Sequence, residues 1–480
     1  MNKLIFWGLC ATLVFLPLPF GAVDEWAIFA FEGATFLLFI LYLAGKVGSK
    51  VEDEAEEISP STKLPGLLKA FLLVFLFVAI IQIVPLPRLL VNWLSPLTSS
   101  ISAGFSSGEL SELGGGGLRT LSFSPSLSFY ELIKYIFYFL FGYLAYKNVR
   151  TKKQAEIFVW VMLLSAIFQS FYGLAELLGG TERIFGYKKV YYVGSATGTY
   201  INRNHFSGFL EMIFPISIGY LLARANFFAM KRGGSLKEKI VWFSQERLQK
   251  AIVFGLISVI IGLGIFLSRS RTGIFIFFAT IFLMAIALSA AGGKRTENQA
   301  KLQRERKASK IIRTVTLVIL FSVILIGIRP IIERFSWASI ERERRPIYFK
   351  NTMELIKSFP LNGSGLGTYI YAYPMFEKKY QPGLLDHAHN DYLELLAESG
   401  MVGGASLILF AFGAAGYLFE RWSKRYDYFV RGVVLGCLGG IVALLIHSLT
   451  DFNLHIPANA VYFVTLFALG MRTVKMAHHA

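Results

Sequence analysis

Long apolar segments alternate with shorter polar ones along most of the chain. Each apolar segment has about 20 residues, the length at which an α-helix crosses a lipid bilayer. The pattern therefore predicts an all-α, polytopic integral membrane protein with about twelve transmembrane helices. The predicted spans lie at 4–21, 27–45, 66–84, 130–146, 155–178, 205–223, 251–267, 272–291, 311–328, 401–419, 432–450 and 458–474.

Composition supports this class. Hydrophobic residues make up 54% of the 480 residues and charged residues only 16%, whereas soluble domains carry about 25% charged residues. Cys10 and Cys437 both fall inside apolar segments, where a thiol packs as a small apolar side chain and predicts no disulfide framework. The first segment follows Lys3 without a convincing cleavage site, so we expect it to be retained as a span.

Basic loops predict the orientation of the spans. The segments "KNVRTKK", "KRGGSLKEKIVWFSQERLQK", "KRTENQAKLQRERKASK" and "RWSKR" all lie on one side if the N-terminus is cytoplasmic. Lysine and arginine concentrate in the cytoplasmic loops of membrane proteins. Topology thus accounts for the net charge of +17, and no nucleic-acid partner is needed to explain it.

The chain divides into four regions by span and loop. Residues 1–150 hold four spans, and 151–328 form a central membrane region with arginine-bearing outer loops. Residues 329–400 form a large, partly helical outer loop or lid with Gly-rich turns at "NGSGLG", and 401–480 hold three spans. Neither a P-loop nor a Rossmann glycine pattern occurs, so nucleotide chemistry has no evident site.

Four arginines lie at the outer ends of spans, on the side where arginine is uncommon. They are Arg203, Arg269, Arg271 and Arg345. A charge at interfacial depth is costly and often functional, and the planar guanidinium group matches phosphate oxygens. The arginines therefore predict a diphosphate site at the membrane surface. The alternative is that each contacts a lipid headgroup or a loop carboxylate.

The stretch "DHAHNDYLELLAESG" concentrates titratable groups at the end of the outer loop. It predicts a short helix that begins near His389 and ends at Gly400, before the next span. His389 would then lie at the outer mouth of the membrane domain, on the arginine side. Histidine ordinarily titrates near neutral pH, which suits it to act as a general base.

This stretch resembles the signature of the O-antigen ligase and O-antigen polymerase superfamily. The pattern H-N-x-x-L-x-x-x-x-E-x-G is filled by His389, Asn390, Leu393, Glu398 and Gly400. The resemblance extends over roughly residues 155–475. It includes Arg345 fifteen residues before Pro360, the turn "GSGLG", the segments "SRSRTG" and "YINRNHFSGF", and "HSLTDFNLHIPANA", which resembles members near exopolysaccharide systems.

The resemblance implies a glycosyltransferase of the bacterial inner membrane with its active site facing the periplasm. Its donor would be a glycan on polyprenyl (undecaprenyl) diphosphate, its acceptor a glycan or a lipid A core, and no cofactor would be needed. His389 would be the general base, with Asp391 or Glu398 orienting it. The donor or acceptor would contact the four arginines, Asn390, His447 and Asp451.

Other interpretations of the same residues stay open. His387 and His389, with Asp386 and Asp391, form an H-x-H group that suits a divalent metal, but the sequence offers no obvious third ligand. We expect no catalytic metal, because the arginines supply positive charge. His389 alternatively caps its helix. His447 and Asp451 fit a buried polar pair, an acceptor contact or a proton relay.

Alternative functions also stay open. The superfamily signature favours a ligase, whereas the exopolysaccharide-like segment favours a polymerase that uses the same donor. A protein-directed oligosaccharyltransferase is a third option. A transporter of an anionic lipid or polysaccharide is a different class, but it would place charges near the bilayer midplane. This chain gathers its charge at one face instead.

Overall fold

A computed structural model describes residues 1–48, 64–105, 118–223, 246–290, 299–337, 343–378 and 383–476. Parts of two basic loops that predict the orientation, at 231–245 and 294–298, lie outside these described residues. Their predicted cytoplasmic placement stays a prediction.

The described chain is mostly helical with almost no sheet, which confirms the predicted all-α class. Two short antiparallel ladders also occur, between Leu86–Pro87 and Leu118–Arg119 and between Arg183–Ile184 and Tyr187–Lys188. The helices are α1 Asn2–Phe15, α2 Glu25–Gly48, α3 Gly66–Ile83, α4 Arg88–Leu94, α5 Pro96–Phe105, α6 Pro125–Asn148, α7 Lys152–Gly179, α8 Arg203–Ala223, α9 Glu246–Leu267, α10 Arg271–Ala290, α11 Gln299–Gly327, α12 Arg329–Arg334, α13 Arg345–Ser358, α14 Tyr369–Ala372, α15 Asp391–Ser423, α16 Tyr428–His447 and α17 Pro457–Thr473.

Each of the twelve predicted spans falls on one of these helices. Within the described residues, nine helices are long and apolar enough to cross a membrane, which makes the chain a multi-pass membrane protein. The other three predicted spans fall on α1, on the apolar part of α9 at Ile252–Leu267, and on α17, which are shorter. The predicted count of twelve is therefore not confirmed.

Helix α8 lies at the centre of the fold, and its packing depends on glycine. Every residue from His205 to Leu221 is buried, and the helix contacts α7, α9, α10 and α16. A Cβ atom on Gly219 would lie 2.3 Å from the carbonyl oxygen of Gly432. Small residues of this kind let membrane helices approach closely enough for their backbones to touch.

Glycines also shape the segment that carries the histidine motif. Gly400 has a φ of 66° and interrupts α15, so a short helix of about two turns precedes the span, as the sequence predicts. Gly363, with a φ of 72°, lies where a Cβ atom would meet the Glu398 carbonyl oxygen at 2.2 Å. The Gly-rich turn therefore packs directly on the short helix, with Gly365 N donating to Glu398 O at 2.9 Å.

The turn that follows α16 contacts the first residues of several other helices. Thr450 Oγ1 lies 3.2 Å from Thr272 Oγ1 in the first turn of α10. Asp391 N, at the start of α15, donates to Ser448 O at 2.9 Å. These contacts bring the outer loop and the ends of α8, α10, α15 and α16 together, which is where the predicted site residues lie.

Candidate active site

Asp451 is the centre of a hydrogen-bonded group that joins three segments. Its side chain is fully buried in the turn after α16. Oδ1 accepts from His389 Nδ1 at 3.1 Å and from Phe452 N at 3.0 Å. Oδ2 accepts from Asn204 Nδ2 at 2.7 Å and from Arg345 Nη2 at 3.2 Å. One carboxylate therefore holds both the predicted base and one predicted phosphate ligand.

The charge of Asp451 is stabilised by the groups around it. Burial alone would raise the pKa of this carboxyl, but the contacts of His205 and His389 and the charge of Arg345 outweigh burial. They hold the pKa of Asp451 well below its usual value. Asp451 is therefore an anion at neutral pH and attracts the proton on His389 Nδ1.

His389 is held in an uncommon conformation at the rim of this group. Its φ of 52° lies in the left-handed region, which non-glycine residues adopt rarely. Its ring lies beside Tyr348, with ring centres 6.2 Å apart, and meets the edge of Phe452 at 4.9 Å. Because Nδ1 donates to Asp451, a neutral ring carries its free lone pair on Nε2. The side chain is 21% exposed.

The two carboxylates predicted to orient His389 contact other groups. Asp391 accepts from Ser448 Oγ at 2.7 Å and from His455 Nδ1 at 2.9 Å. Glu398 Oε1 accepts from Tyr369 N at 2.9 Å, which fixes the Gly-rich segment. The prediction of Asp391 or Glu398 is corrected: the carboxylate bonded to His389 is Asp451.

The side chains of Asn390 and His447 are buried and contact other groups of the protein. Asn390 caps α15, with Oδ1 accepting from the backbone N–H of Leu393 at 3.0 Å, and its Nδ2 donates to Leu449 O at 2.9 Å. His447 is fully buried, and its Nδ1 lies 2.9 Å from Glu211 Oε2. The buried polar pair that the sequence allows for His447 fits this geometry, and the substrate contacts of both residues stay predictions.

Glu343 connects two of the predicted arginines. Arg271 Nη2 contacts Glu343 Oε2 at 2.5 Å, and Arg345 Nε lies 3.6 Å from Glu343 Oε1. Arg203 Nη1 donates to Ser195 Oγ at 3.3 Å. The structure thus brings Arg271 and Arg345 together through a shared carboxylate.

A further arginine, Arg334, lies near Arg203, Arg271 and Arg345, and these four residues are called the arginine cluster. The sequence motifs did not indicate Arg334. It interacts electrostatically with Arg271, Arg345 and Arg203. Burial and the neighbouring charge of Arg271 lower the pKa of Arg334. Its position just after a predicted span, on the outer side, was the available signal. No neighbouring motif marked it.

Two of the arginines have a buried donor that no acceptor meets within the described part of the chain. The Nε atoms of Arg203 and Arg334 are buried and have no hydrogen-bond partner among the described residues. Buried guanidinium donors are costly unless an acceptor satisfies them. The cluster therefore has unmet capacity for an anion.

Arg269 differs from the other predicted arginines. Burial lowers its pKa, and the nearby acidic residues Glu182 and Glu333 oppose this effect. A Cβ atom on Gly194 would lie 3.2 Å from Arg269 Nη1, so this guanidinium lies against the 182–194 loop. The acidic neighbours of Arg269 therefore differ from those of Arg271 and Arg345, which contact Glu343.

A second cluster of titratable side chains lies beside the one around Asp451. His387, Glu394 and His455 place ligand atoms within 4.8 Å of one another, the kind of group that binds a metal ion. Burial alone would lower the pKa of His455, but Glu394 and Asp391 raise it to about 10. The sequence offered no obvious third ligand beside His387; the structure supplies Glu394 and His455.

The O-antigen ligase family model matches residues 256–408. Residues 256–408 are thus similar to an O-antigen ligase domain. This match supports the O-antigen ligase and polymerase superfamily and confirms the predicted resemblance. The domain includes Arg271, Arg345 and His389, whereas Arg203 and Asp451 lie outside it. No curated protein shows significant sequence similarity to the chain.

Proposed function

We propose that this chain is an integral-membrane glycosyltransferase of the O-antigen ligase type. It transfers a glycan from polyprenyl (undecaprenyl) diphosphate to an acceptor sugar hydroxyl at the periplasmic face of the bacterial inner membrane. The observation that carries the proposal is the bridge at Asp451, which bonds both His389 and Arg345. The O-antigen ligase domain at 256–408 supports the same class of reaction.

Each group has a defined part in the reaction. His389 Nε2 takes the proton from the acceptor hydroxyl while the oxygen of that hydroxyl forms a bond to the anomeric carbon of the donor sugar. The bond between that carbon and the diphosphate oxygen breaks, and polyprenyl diphosphate leaves with the electron pair. Asp451 stabilises the imidazolium that forms, since its charge lies 3.1 Å from Nδ1.

The arginine cluster stabilises the leaving group. Arg203, Arg271, Arg334 and Arg345 present positive charge where the diphosphate gains negative charge. Preorganised donors of this kind act without reorganisation during the reaction. We propose that they take the place of a divalent ion at the diphosphate, and that Asp386 and Asp391 bind no catalytic metal.

An apolar cavity supports a lipid-linked substrate. It lies between α6, α15, α16 and α17 and is partly open to the surroundings, so that its space of about 840 Å³ includes open solvent. Its lining includes Tyr392, Phe410 and Phe463, together with Asp391 and His455. An isoprenoid chain is apolar along its length and suits such a lining.

The purified protein tests the proposed function directly. In detergent or liposomes, without nucleotide and without an ion gradient, it should release polyprenyl diphosphate only when a lipid-linked glycan and an acceptor are both present. Mass analysis of the products assigns the acceptor. Transfer to a lipid A core indicates a ligase, and longer lipid-linked glycans indicate the polymerase alternative. Absence of transfer to every acceptor, with donor movement across liposomes, would instead indicate a transporter.

Lysine substitution tests the arginine cluster. Arg271→Lys and Arg334→Lys should each weaken donor binding by about 10- to 100-fold, because a charge-assisted hydrogen bond contributes about 1.5–3 kcal/mol. Lysine keeps the charge but lacks the planar fork of donors. Equilibrium binding of a fluorescent polyprenyl diphosphate glycan measures the effect.

Arg329→Lys is the matched control. Arg329 belongs to the same short helix as Arg334, but its side chain is 90% exposed and pairs with Glu333. It should bind donor like the wild type. Unchanged affinity in both Arg271→Lys and Arg334→Lys would show that the diphosphate binds elsewhere.

A further inference from the structure

We propose that His387, Glu394 and His455 bind a divalent transition-metal ion, with Zn²⁺ the best match. Glu394 Oε1 lies 2.6 Å from His387 Nδ1 and 3.3 Å from His455 Nε2. Bonds of about 2.0–2.2 Å place neighbouring ligands of a tetrahedral Zn²⁺ roughly 3.3–3.5 Å apart. The His455 pair already has this separation, and the His387 pair needs to open by less than about 1 Å.

The ring of His455 is held in the orientation that a metal ligand requires. Its Nδ1 lies 2.9 Å from Asp391 Oδ1, while Nε2 faces Glu394. Metal-binding histidines usually donate their second ring N–H to a carboxylate, which fixes the tautomer and raises the basicity of the ligand. Asp391 is therefore assigned as the positioning residue for His455. A doubly protonated His455 that bridges the two carboxylates is the competing arrangement.

The ligand set selects the kind of ion. Two imidazole nitrogens and one carboxylate suit Zn²⁺ and similar first-row ions, whereas Mg²⁺ and Ca²⁺ prefer oxygen ligands. Glu394 is almost fully buried, but the His387 side chain is 28% exposed. An ion can therefore enter from the outer loop, and water can complete its coordination.

The ion would join three segments that also position His389. His387 lies in the outer loop, Glu394 in the first turns of α15, and His455 in the turn before α17. Phe452 stacks on His387 with ring centres 4.2 Å apart and also touches His389. The ion thus fixes the loop around His389 and takes no part in the transfer itself. This inference goes beyond the proposed function and does not depend on it.

Metal content of the full chain tests the site without any substrate. The protein is purified in detergent without a polyhistidine tag, stripped with a chelator, and titrated with ZnCl₂ or CoCl₂. Wild type should take up about one ion per chain, with visible Co²⁺ absorption from a low-symmetry site. Glu394→Gln and His455→Gln should lose this ion. Asp391→Asn should bind it about 10- to 100-fold more weakly.

Two variants keep the test decisive. His389→Gln lies two residues from His387 and should retain the full metal content. His387→Gln changes a partly exposed ligand, so it reports on the site even if a buried substitution prevents folding. Wild type that takes up neither Zn²⁺ nor Co²⁺ would overturn the proposal in favour of the doubly protonated His455. Unchanged uptake by His387→Gln and Glu394→Gln, or equal binding of MgCl₂, would also overturn it.

Discussion

His389→Gln is expected to lower the turnover of glycan transfer by about 10²–10⁴-fold, the usual contribution of a general base. Glutamine keeps approximate size and hydrogen-bonding capacity but cannot take the acceptor proton at neutral pH. Donor binding should stay near that of the wild type, because in the proposed function it is the arginines that contact the diphosphate in the ground state. His389→Ala should reduce turnover to a similar extent.

Single-turnover rates and donor affinities, measured on the same preparations, distinguish an effect on proton transfer from an effect on donor binding. Asp386→Asn is the control, since Asp386 is exposed in the same loop three residues away. It should keep wild-type turnover. Near-normal transfer by His389→Gln at pH 7 would mean that the histidine only supports the shape of the loop. Loss of donor binding in His389→Gln would place the ring in the donor site instead.

Apolar length and the position of glycines predicted much of this fold. Segment length located helices, and the motif spacing correctly placed a break at Gly400, because both depend on local sequence. The count of spans was less predictable. Helices such as α1 are apolar but short, so a threshold in length decides whether they count as spans.

The partner of His389 could not be predicted from local spacing. Asp391 and Glu398 are its neighbours in sequence, but Asp391 contacts His455 and Glu398 contacts Tyr369. Asp451 is 62 residues away from His389 and reaches it because α16 returns the chain to the end of the helices where His389 lies. The sequence allows Asp451 to be a substrate contact, part of a buried polar pair or a proton relay, but only helix packing establishes which side chains meet.

The same limit applies to Glu343 and Arg334. Both lie in the outer loop outside the family pattern, and their value comes from three-dimensional proximity to Arg271. His447 illustrates the opposite case. The sequence left a buried pair and a substrate contact open for this residue near the end of a span, and the structure pairs it with Glu211 of α8 inside the protein.

Asp451→Asn is expected to lower turnover by about 10²-fold, the scale of a small misplacement of a catalytic group. Asparagine has the size of aspartate, but its amide nitrogen donates where a carboxylate oxygen accepted. In one orientation the amide nitrogen would face the donor of His389, and in the other it would face the donors of Asn204 and Arg345. His389 and Arg345 would lose their common anion. Donor affinity should also fall, since Arg345 loses the group that orients it.

Thermal stability gives a second, pH-dependent readout of Asp451. Its pKa is held well below the usual value in the folded protein, so its contribution to stability is complete above the unfolded pKa of about 3.9. The contribution is lost as pH falls through the lower folded pKa. Asp451→Asn should therefore melt below the wild type at pH 5–7, and the difference in Tm should narrow only below about pH 4.

A double-mutant cycle determines whether Asp451 acts through His389. If it does, Asp451→Asn combined with His389→Gln should transfer glycan as slowly as His389→Gln alone, because the base that Asp451 positions is already absent. Asp427→Asn is the control for loss of a paired aspartate, since Asp427 pairs with Lys152 and caps α16 at the end opposite to Asp451. It should leave turnover unchanged. Multiplication of the two rate losses in the double variant would instead assign Asp451 an independent role, through Arg345 and the donor diphosphate.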